Sequence, residues 1–141
     1  MLELTVAIAI IFIIAAVSFP SFNNYLKYQD LKNSTKNFIR HLKESQQNTV
    51  TQQIKFGVEF DLAANGYRQL KLTQPNELIS DYLLSDNIFF ASSTGLAANQ
   101  VVFNPVGAVD QSGAIYLESA ESGEQTKIIV HPSGYVTWQN N

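Results

Sequence analysis

Residues 1–22 read MLELTVAIAIIFIIAAVSFPSF, and this stretch decides the fold. Every residue from 6 to 17 is apolar, and Glu3 is the only charged residue of the stretch. The run approaches the length of about 20 residues that a membrane-spanning helix needs, and a helix satisfies its own backbone in lipid. Because no Lys or Arg precedes the run and no small-x-small site follows it, the pattern favours a membrane anchor over a cleaved signal peptide.

Two residues of this stretch are not explained by a plain anchor. A charge in a spanning helix is unfavourable and normally has a partner. In the first helical turn Glu3 gains about 0.3–1 kcal/mol from the helix dipole, and the N-terminal amine of an adjacent chain is the obvious cationic partner when such helices pack together. Pro20 has no amide hydrogen and its ring clashes one turn back, so we expect a kink or local melting of the helix there.

Beyond Pro20 the sequence predicts an amphipathic helix that continues to about Thr51, which gives the whole helix a length of roughly 75 Å. Its apolar face consists of Tyr28, Leu31, Phe38, Ile39 and Leu42. A second face is basic and consists of Lys32, Lys36, Arg40 and Lys43. A solvated face is the commoner fate of such a stripe, and contact with phosphates or with an acidic neighbouring subunit is the alternative. A small domain is much shorter than this helix, so the apolar half must project.

From residue 53 onward the hydrophobic period changes from 3.6 to two. Strands are predicted at residues 54–62, 67–73, 87–91, 101–103, 113–119, 126–130 and 135–138. Asn65-Gly66 is a strong turn signal between the first two strands, whereas residues 75–100 are less regular. Short loops between sequential strands favour a mostly antiparallel sheet. The fold class is therefore α+β, with residues 1–20 as an apolar half-helix, 21–52 as an amphipathic half-helix and 53–141 as the sheet domain.

Composition argues against an enzyme and against a nucleic-acid-binding protein. The net charge is −3, so the chain as a whole does not attract phosphates. There is no Cys, and neither His41 nor His131 lies in a metal-binding spacing, so both are expected to be surface or packing residues. The glycines at 107, 113 and 134 are expected in turns, since no helix follows them to bind phosphate. We expect no catalytic residue, no metal and no cofactor.

Tyr135 and Trp138 are the candidate ligand-binding residues of the last strand. An exposed aromatic pair would stack on a ligand or on DNA bases. Packing in the hydrophobic core is the alternative, and the sequence favours it.

The first 22 residues resemble the bacterial type IV pilins and their pseudopilin relatives. The resemblance rests on a short head containing Glu3, a continuous apolar helix, and Pro20 placed 17 positions after the glutamate. A second resemblance is to the GspH/FimT group of minor pilins, carried by FNPVGAVDQSGAIYL at 103–117 and KIIVHPSGYVTW at 127–138. Together the two matches cover most of the chain, and residues 75–100 match least.

The resemblance implies the pilin fold and a structural role in a filament. Proteins of this kind are made as precursors in the inner membrane, where a prepilin peptidase removes a leader and methylates the new N-terminal amine. An ATP-driven machine then assembles them, with related subunits, into an extracellular pilus or a periplasmic pseudopilus. The resemblance also implies that Glu3 pairs with the N-terminal amine of a neighbour and that Pro20 permits local melting.

Three alternatives follow from the resemblance: a minor or major pilus subunit, a type II secretion pseudopilin, and a DNA-uptake receptor at a pilus tip. Some FimT-like proteins bind DNA through arginines in the final turn and strand, and residues 134–137 contain none. This departure argues against nucleic acid as a partner. Family members also carry two residues ahead of the stretch that matches Met1-Leu2-Glu3, so we expect either that the numbering starts inside the mature chain or that processing differs.

Overall fold

A computed structural model of the chain describes residues 2–140, with the side chains of residues 3–16 and 25–140. A single long helix, α1 (Leu2–Gln52), precedes the strands of the described chain. A short 3-10 helix covers Ala97–Asn99. The strands are β1 (Phe56–Asp61), β2 (Gly66–Lys71), β3 (Glu77–Leu83), β4 (Ile88–Thr94), β5 (Gln100–Phe103), β6 (Gly113–Ser119), β7 (Gln125–Val130) and β8 (Val136–Asn140).

The strands form two four-stranded antiparallel sheets, in the orders β3-β2-β1-β5 and β4-β6-β7-β8. The predicted α+β class, with a long helix packed on antiparallel strands, is confirmed. The sequence indicated one sheet, and the structure divides the strands into two. The stretch whose pattern was least regular contains β3, which the sequence did not predict. All seven residues of β3 are at least partly exposed. Because neither face of the strand is buried, its sequence does not alternate between apolar and polar residues, and the pattern gives no strand signal.

The second half of α1 packs against both sheets through its apolar face, as predicted. Phe38 has no exposed surface, and its ring lies 6.3 Å from that of Phe60 on β1, 4.9 Å from that of Tyr67 on β2 and 5.3 Å from that of Phe90 on β4. Each such edge-on aromatic pair adds about 0.5–1.5 kcal/mol beyond its buried area. Phe38 therefore joins the helix to one sheet through two rings and to the other sheet through a third.

Two glycine turns meet at the far end of the domain, next to Gln46 of α1. Gly107 has a φ of 85° and Gly134 a φ of 82°, values that side-chain-bearing residues rarely adopt. The Gln46 side chain donates a 2.6 Å hydrogen bond to the Gly107 carbonyl. A Cβ on Gly134 would collide with that carbonyl and with Gln46 Nε2. The prediction that these two glycines occupy turns is confirmed, and their contact holds the end of the helix to both loops.

Near its middle, α1 is held by two polar contacts to the end of the domain that lies nearer the N-terminus of the helix. We call this the lower end of the domain. Lys27 Nζ lies 3.0 Å from a carboxylate oxygen of Glu121 in the β6–β7 loop. The Asn140 side chain at the end of β8 donates a 3.0 Å hydrogen bond to the Tyr28 hydroxyl. Tyr28 is half-buried, whereas Tyr25 and Leu26 are exposed. The packed part of the helix thus begins near Lys27.

Candidate assembly interface

The first half of α1 carries a row of apolar side chains that no part of the described chain covers. Phe12 is 71% exposed and Leu4 is 65% exposed. The remaining exposed large hydrophobics of this segment are Val6, Ile8, Ile10, Ile11, Ile13 and Ile14. Full burial of one such side chain is worth about 1.5–3 kcal/mol, and exposed apolar surfaces of this extent mark protein or membrane contacts. The predicted projection of the apolar half-helix is confirmed for the described residues.

Glu3 lies in the first turn of α1, where a carboxylate interacts favourably with the helix dipole. Its side chain is exposed and stands ahead of the apolar row. The carboxylate is therefore accessible to a second chain, and its pairing with a neighbour's N-terminal amine stays a prediction.

Pro20 falls within residues 17–24, whose side chains lie outside those described. The kink and the local melting expected at Pro20 therefore stay predictions. Among the helices of the described residues, none combines the length and the apolar character needed to cross a membrane.

The basic face of α1 is largely exposed, although the Arg40 guanidinium lies 3.3 Å from His41 Nε2. Lys36, Arg40 and Lys43 are exposed, and Lys32 is half-buried with its ammonium 5.7 Å from the centre of the Tyr28 ring. Positions 36, 40 and 43 fall within about 60° of the helix circumference, given about 100° per residue. They therefore form one stripe, in agreement with the predicted spacing.

The structure also contains a buried polar cluster around His41 that the sequence did not reveal. His41 Nδ1 lies 2.8 Å from the Tyr67 hydroxyl, and the imidazole stacks on the Tyr82 ring with the ring centres 4.0 Å apart. Gln69 donates to the His41 carbonyl at 2.9 Å and to the Ser45 hydroxyl at 3.0 Å. His41 is thus a packing residue, one of the two roles expected for it.

Burial changes the acid–base behaviour of this cluster. It lowers the pKa of His41, and the nearby Arg40 charge acts in the same direction, while Glu44 opposes both. Burial also raises the pKa of Tyr67 to about 12. At neutral pH the cluster therefore holds a neutral imidazole beside a protonated phenol. These groups stabilise the packing of the helix on β2 and β3.

Tyr135 and Trp138 do not form one aromatic surface. Tyr135 is 63% exposed, so the expected core packing is wrong for this residue. Its nearest ring partner is His131, at 5.8 Å between ring centres. Trp138 is half-buried and packs against the hydrophobic core, as the sequence favoured. Because the two positions differ by three in an extended segment, their side chains point to opposite faces.

Among the described residues, no three His, Cys, Asp or Glu residues are placed to hold a metal ion. His131 is half-buried, with Nε2 3.1 Å from the Thr137 hydroxyl. The expectation of no catalytic residue, metal or cofactor stays an expectation.

Comparison with solved structures shows which known fold this is. Two structures of the minor pseudopilin EpsH from the type 2 secretion system of Vibrio cholerae match with TM-scores of 0.67 and 0.66 and identities of 17% and 12%. Each alignment covers 79% of this chain, and 97% and 96% of the EpsH chains. The type IV minor pilin FimU of Pseudomonas aeruginosa PAO1 matches with a TM-score of 0.64 and 9% identity, over 82% of this chain and 92% of FimU. No protein-family model and no curated protein sequence matches the chain.

At these identities the likeness establishes the fold. The chain has the fold of the minor pseudopilin EpsH and the minor pilin FimU, which confirms the fold implied by the resemblance to the GspH/FimT group.

Proposed function

We propose that the chain is a structural subunit of a type IV pilus or a related pilus-like filament. The observation that carries the proposal is the exposed apolar row between Leu4 and Ile14, on a helix that extends from a domain with the fold of a minor pilin. A surface of this kind is not stable in water, and parallel packing of many copies or relatives would bury it. The sheet domains would then coat the outside of the filament.

Glu3 would set the register of this assembly. In a filament the carboxylate would be enclosed by neighbouring apolar side chains, where its natural partner is the N-terminal amine of the next chain. Loss of one partner of such a buried pair costs about 3–5 kcal/mol, because the other charge stays buried and unpaired. A subunit docked out of register would carry this penalty, so the pair selects one register. Pro20 would permit local melting as the helix repacks.

Before assembly, the same apolar surface would anchor the subunit in the inner membrane. Processing by a prepilin peptidase, N-terminal methylation and extraction by an ATP-driven machine belong to this proposal. The apolar side chains are shielded from water both in lipid and against other helices. Transfer of the subunit from the membrane to the filament would therefore need no large change in the exposure of apolar surface.

A role as a type II secretion pseudopilin is the second candidate. The two EpsH structures favour it, since EpsH is a minor pseudopilin of such a system. The abundance of the chain separates the candidates. Quantitative mass spectrometry of sheared, purified surface filaments would find it dominant if it is a major pilin. A trace amount beside another pilin would indicate a minor pilin, and absence from surface filaments would favour the secretion system.

Replacement of Glu3 by Ala tests the assembly role. We expect the variant to enter the membrane fraction as the unaltered chain does, and to yield few or no sheared filaments. Glu44→Ala is the matched control, because it removes another exposed carboxylate from the same helix and should leave the filament yield unchanged. Unaltered filament yield from the Glu3→Ala strain would refute this role for Glu3.

A receptor for DNA at a pilus tip is the remaining alternative, and it rests on the exposed ring of Tyr135 alone. A gel-shift titration at low salt tests it, since phosphate contacts are strongest there. Absence of binding to the full chain in detergent would end this alternative.

A further inference from the structure

The nine cations of the chain fall into three groups, and two of these cations, Lys32 and Lys127, lie over the rings of Tyr28 and Tyr116. Four of the nine form ion pairs within the chain, with nitrogen–oxygen distances of 2.7–3.7 Å; these are Lys27, Lys55, Arg68 and Lys71. Among the described residues, none of the three cations of the exposed stripe (Lys36, Arg40 and Lys43) has a carboxylate oxygen within 4.0 Å. The stripe therefore concentrates positive charge on the helix face that the sheets leave open.

The lower end of the domain carries the opposite charge. The β6–β7 loop and the ends of the flanking strands contribute Glu118, Glu121 and Glu124. Asp86 joins them, because its neighbour Asn87 accepts a 2.8 Å backbone hydrogen bond from Ala120 in that loop. Among the described residues, Lys27 is the cation that forms an ion pair with one of these four carboxylates, that of Glu121. We call these four carboxylates the acidic rim.

We infer that the acidic rim of one copy of this chain docks on the basic stripe of the next copy in the filament. The inference rests on the proposed function. The rim and the stripe are different surfaces of one molecule, so their contact is head-to-tail and continues from copy to copy instead of closing into a two-fold dimer. Opposite potentials on the two surfaces fix the orientation and register of the contact.

The positions of the two surfaces along the helix fix the stagger between the copies. The acidic rim lies at the height of Lys27 and Tyr28, and the stripe extends from Lys36 to Lys43 on the same helix. At about 1.5 Å per residue, a copy shifted by roughly 12–22 Å along the helix axis places its rim beside the stripe of the copy below. The same shift keeps the apolar half of the upper helix beside the helix of the lower copy. The charged contact is therefore continuous with the proposed apolar interface.

A second copy fits the stripe better than a nucleic acid or a lipid surface. The chain has a net charge of −3, so a polyanion approaching the stripe would be repelled by the rest of the surface. The acidic rim, in contrast, is held beside α1 by the ion pair between Lys27 and Glu121. The apolar interface would already align the α1 helices of neighbouring copies, and with them the rim and the stripe. The stripe is exposed, and so are the rim carboxylates of Asp86, Glu121 and Glu124, so the contact adds specificity at a small desolvation cost. Glu118 is half-buried and accepts a 2.6 Å hydrogen bond from Gln125, so it contributes charge to the rim but little accessible surface.

Crosslinking with introduced cysteines tests the contact, because the natural chain contains none. The double variant Lys36→Cys with Glu124→Cys is expressed as the full chain, and intact filaments are treated with a short bismaleimide. This reagent is needed because a Lys–Glu pair holds its Cβ atoms farther apart than a disulfide allows. We expect a ladder of dimers, trimers and longer species from the double variant, and monomer from each single variant.

Two controls define the outcome. Lys36→Cys with Arg68→Cys places the second thiol on the outer face of β2, away from the helix, and should give no ladder. The double variant Lys36→Glu with Arg40→Glu should lower the filament yield at least tenfold. The yield should recover when Glu118→Lys and Glu124→Lys are added to the same chain. This test does not depend on assembly of the cysteine variants.

Filaments that contain the chain and give no ladder, together with no recovery in the charge-swap variant, would overturn the rim–stripe contact and leave the proposed function standing. Dimers from Lys36→Cys alone would overturn it as well, since they require a two-fold contact. If the unaltered chain enters no filament, the proposed function fails and this inference fails with it.

Discussion

Thr35 and Thr49 form a matched pair that tests the packing of α1 on the sheets. Both are on the helix and neither has any exposed surface. Thr49 Oγ1 donates to the Ser45 carbonyl at 2.8 Å and accepts from the Phe56 amide at 3.1 Å. Thr35 Oγ1 is buried without a hydrogen-bond partner in the described chain. The same substitution, Thr to Val, should therefore have opposite effects at the two positions.

The expected magnitudes follow from the hydrogen bonds. A buried hydroxyl without a partner costs about 1–3 kcal/mol, and a methyl group in its place gains roughly the transfer energy of one buried carbon. Val and Thr have similar helix propensities, so the backbone contributes little to the difference. Thr35→Val should raise the free energy of unfolding by about 1–2 kcal/mol. Thr49→Val should lower it by about 1–3 kcal/mol, because the Phe56 amide loses its acceptor.

Urea unfolding of the full chain in mild detergent measures both changes. Trp138 is the single tryptophan and packs on the core, so its fluorescence reports the loss of tertiary structure. For a slope of about 1–3 kcal/mol per molar urea, the midpoint should rise by on the order of 0.3–2 M for Thr35→Val. A lower midpoint for Thr35→Val, or shifts of the same sign at both positions, would refute the assignment of an unpaired hydroxyl at Thr35.

Three further predictions concern stability, measured by the same unfolding assay. Gly134→Ala should destabilise the chain by about 2–4 kcal/mol, because a left-handed backbone and a collision with the Gly107 carbonyl coincide; a loss below about 1 kcal/mol would contradict the close approach of the two turns. Phe38→Ala should lose about 3–5 kcal/mol, since the fully buried ring contacts both sheets, and a smaller loss would mean that the sheets hold together without it. The free energy of unfolding should fall as the pH drops below about 6.5, because burial lowers the pKa of His41 and the unfolded chain binds the proton more readily. His41→Gln should flatten this dependence between pH 7 and 5; an unchanged slope would show that His41 does not cause it.

The helix and most strands were predictable because their signals are local. Leu31, Phe38 and Leu42 lie at helical spacing, and each is buried on the helix face that the spacing indicates. The Asn65-Gly66 turn and the alternation after residue 55 similarly predict the β1–β2 hairpin, whose register pairs Asp61 with Gly66. Patterns of this kind depend on the period of a single element, and a sequence displays that period directly.

Long-range pairing was beyond the sequence pattern. β1 pairs with β5 across an insertion of forty or so residues, and β4 pairs with β6, so the division into two sheets depends on contacts between distant segments. The environment of His41 could not be predicted for the same reason, since Tyr67 and Tyr82 reach it from strands 26 or more positions away. The exposure of Tyr135 follows from the alternation of the last strand, because Val136 is buried and Trp138 packs on the core, which places Tyr135 on the opposite face.

The distribution of polar and apolar surface along α1 explains why one helix would serve two roles. In its second half, the large side chains of the apolar face are buried against the two sheets. This half is therefore stable in an isolated subunit. Among the described residues of its first half, the large apolar side chains from Leu4 to Ile14 are exposed, which leaves a large apolar surface for lipid or other helices. Because dispersed apolar burial does not by itself select a register, the charges at Glu3, on the stripe and on the acidic rim are the groups that would fix how far one subunit lies above the next. Apolar burial would thus supply the strength of assembly, and the charges would supply its geometry.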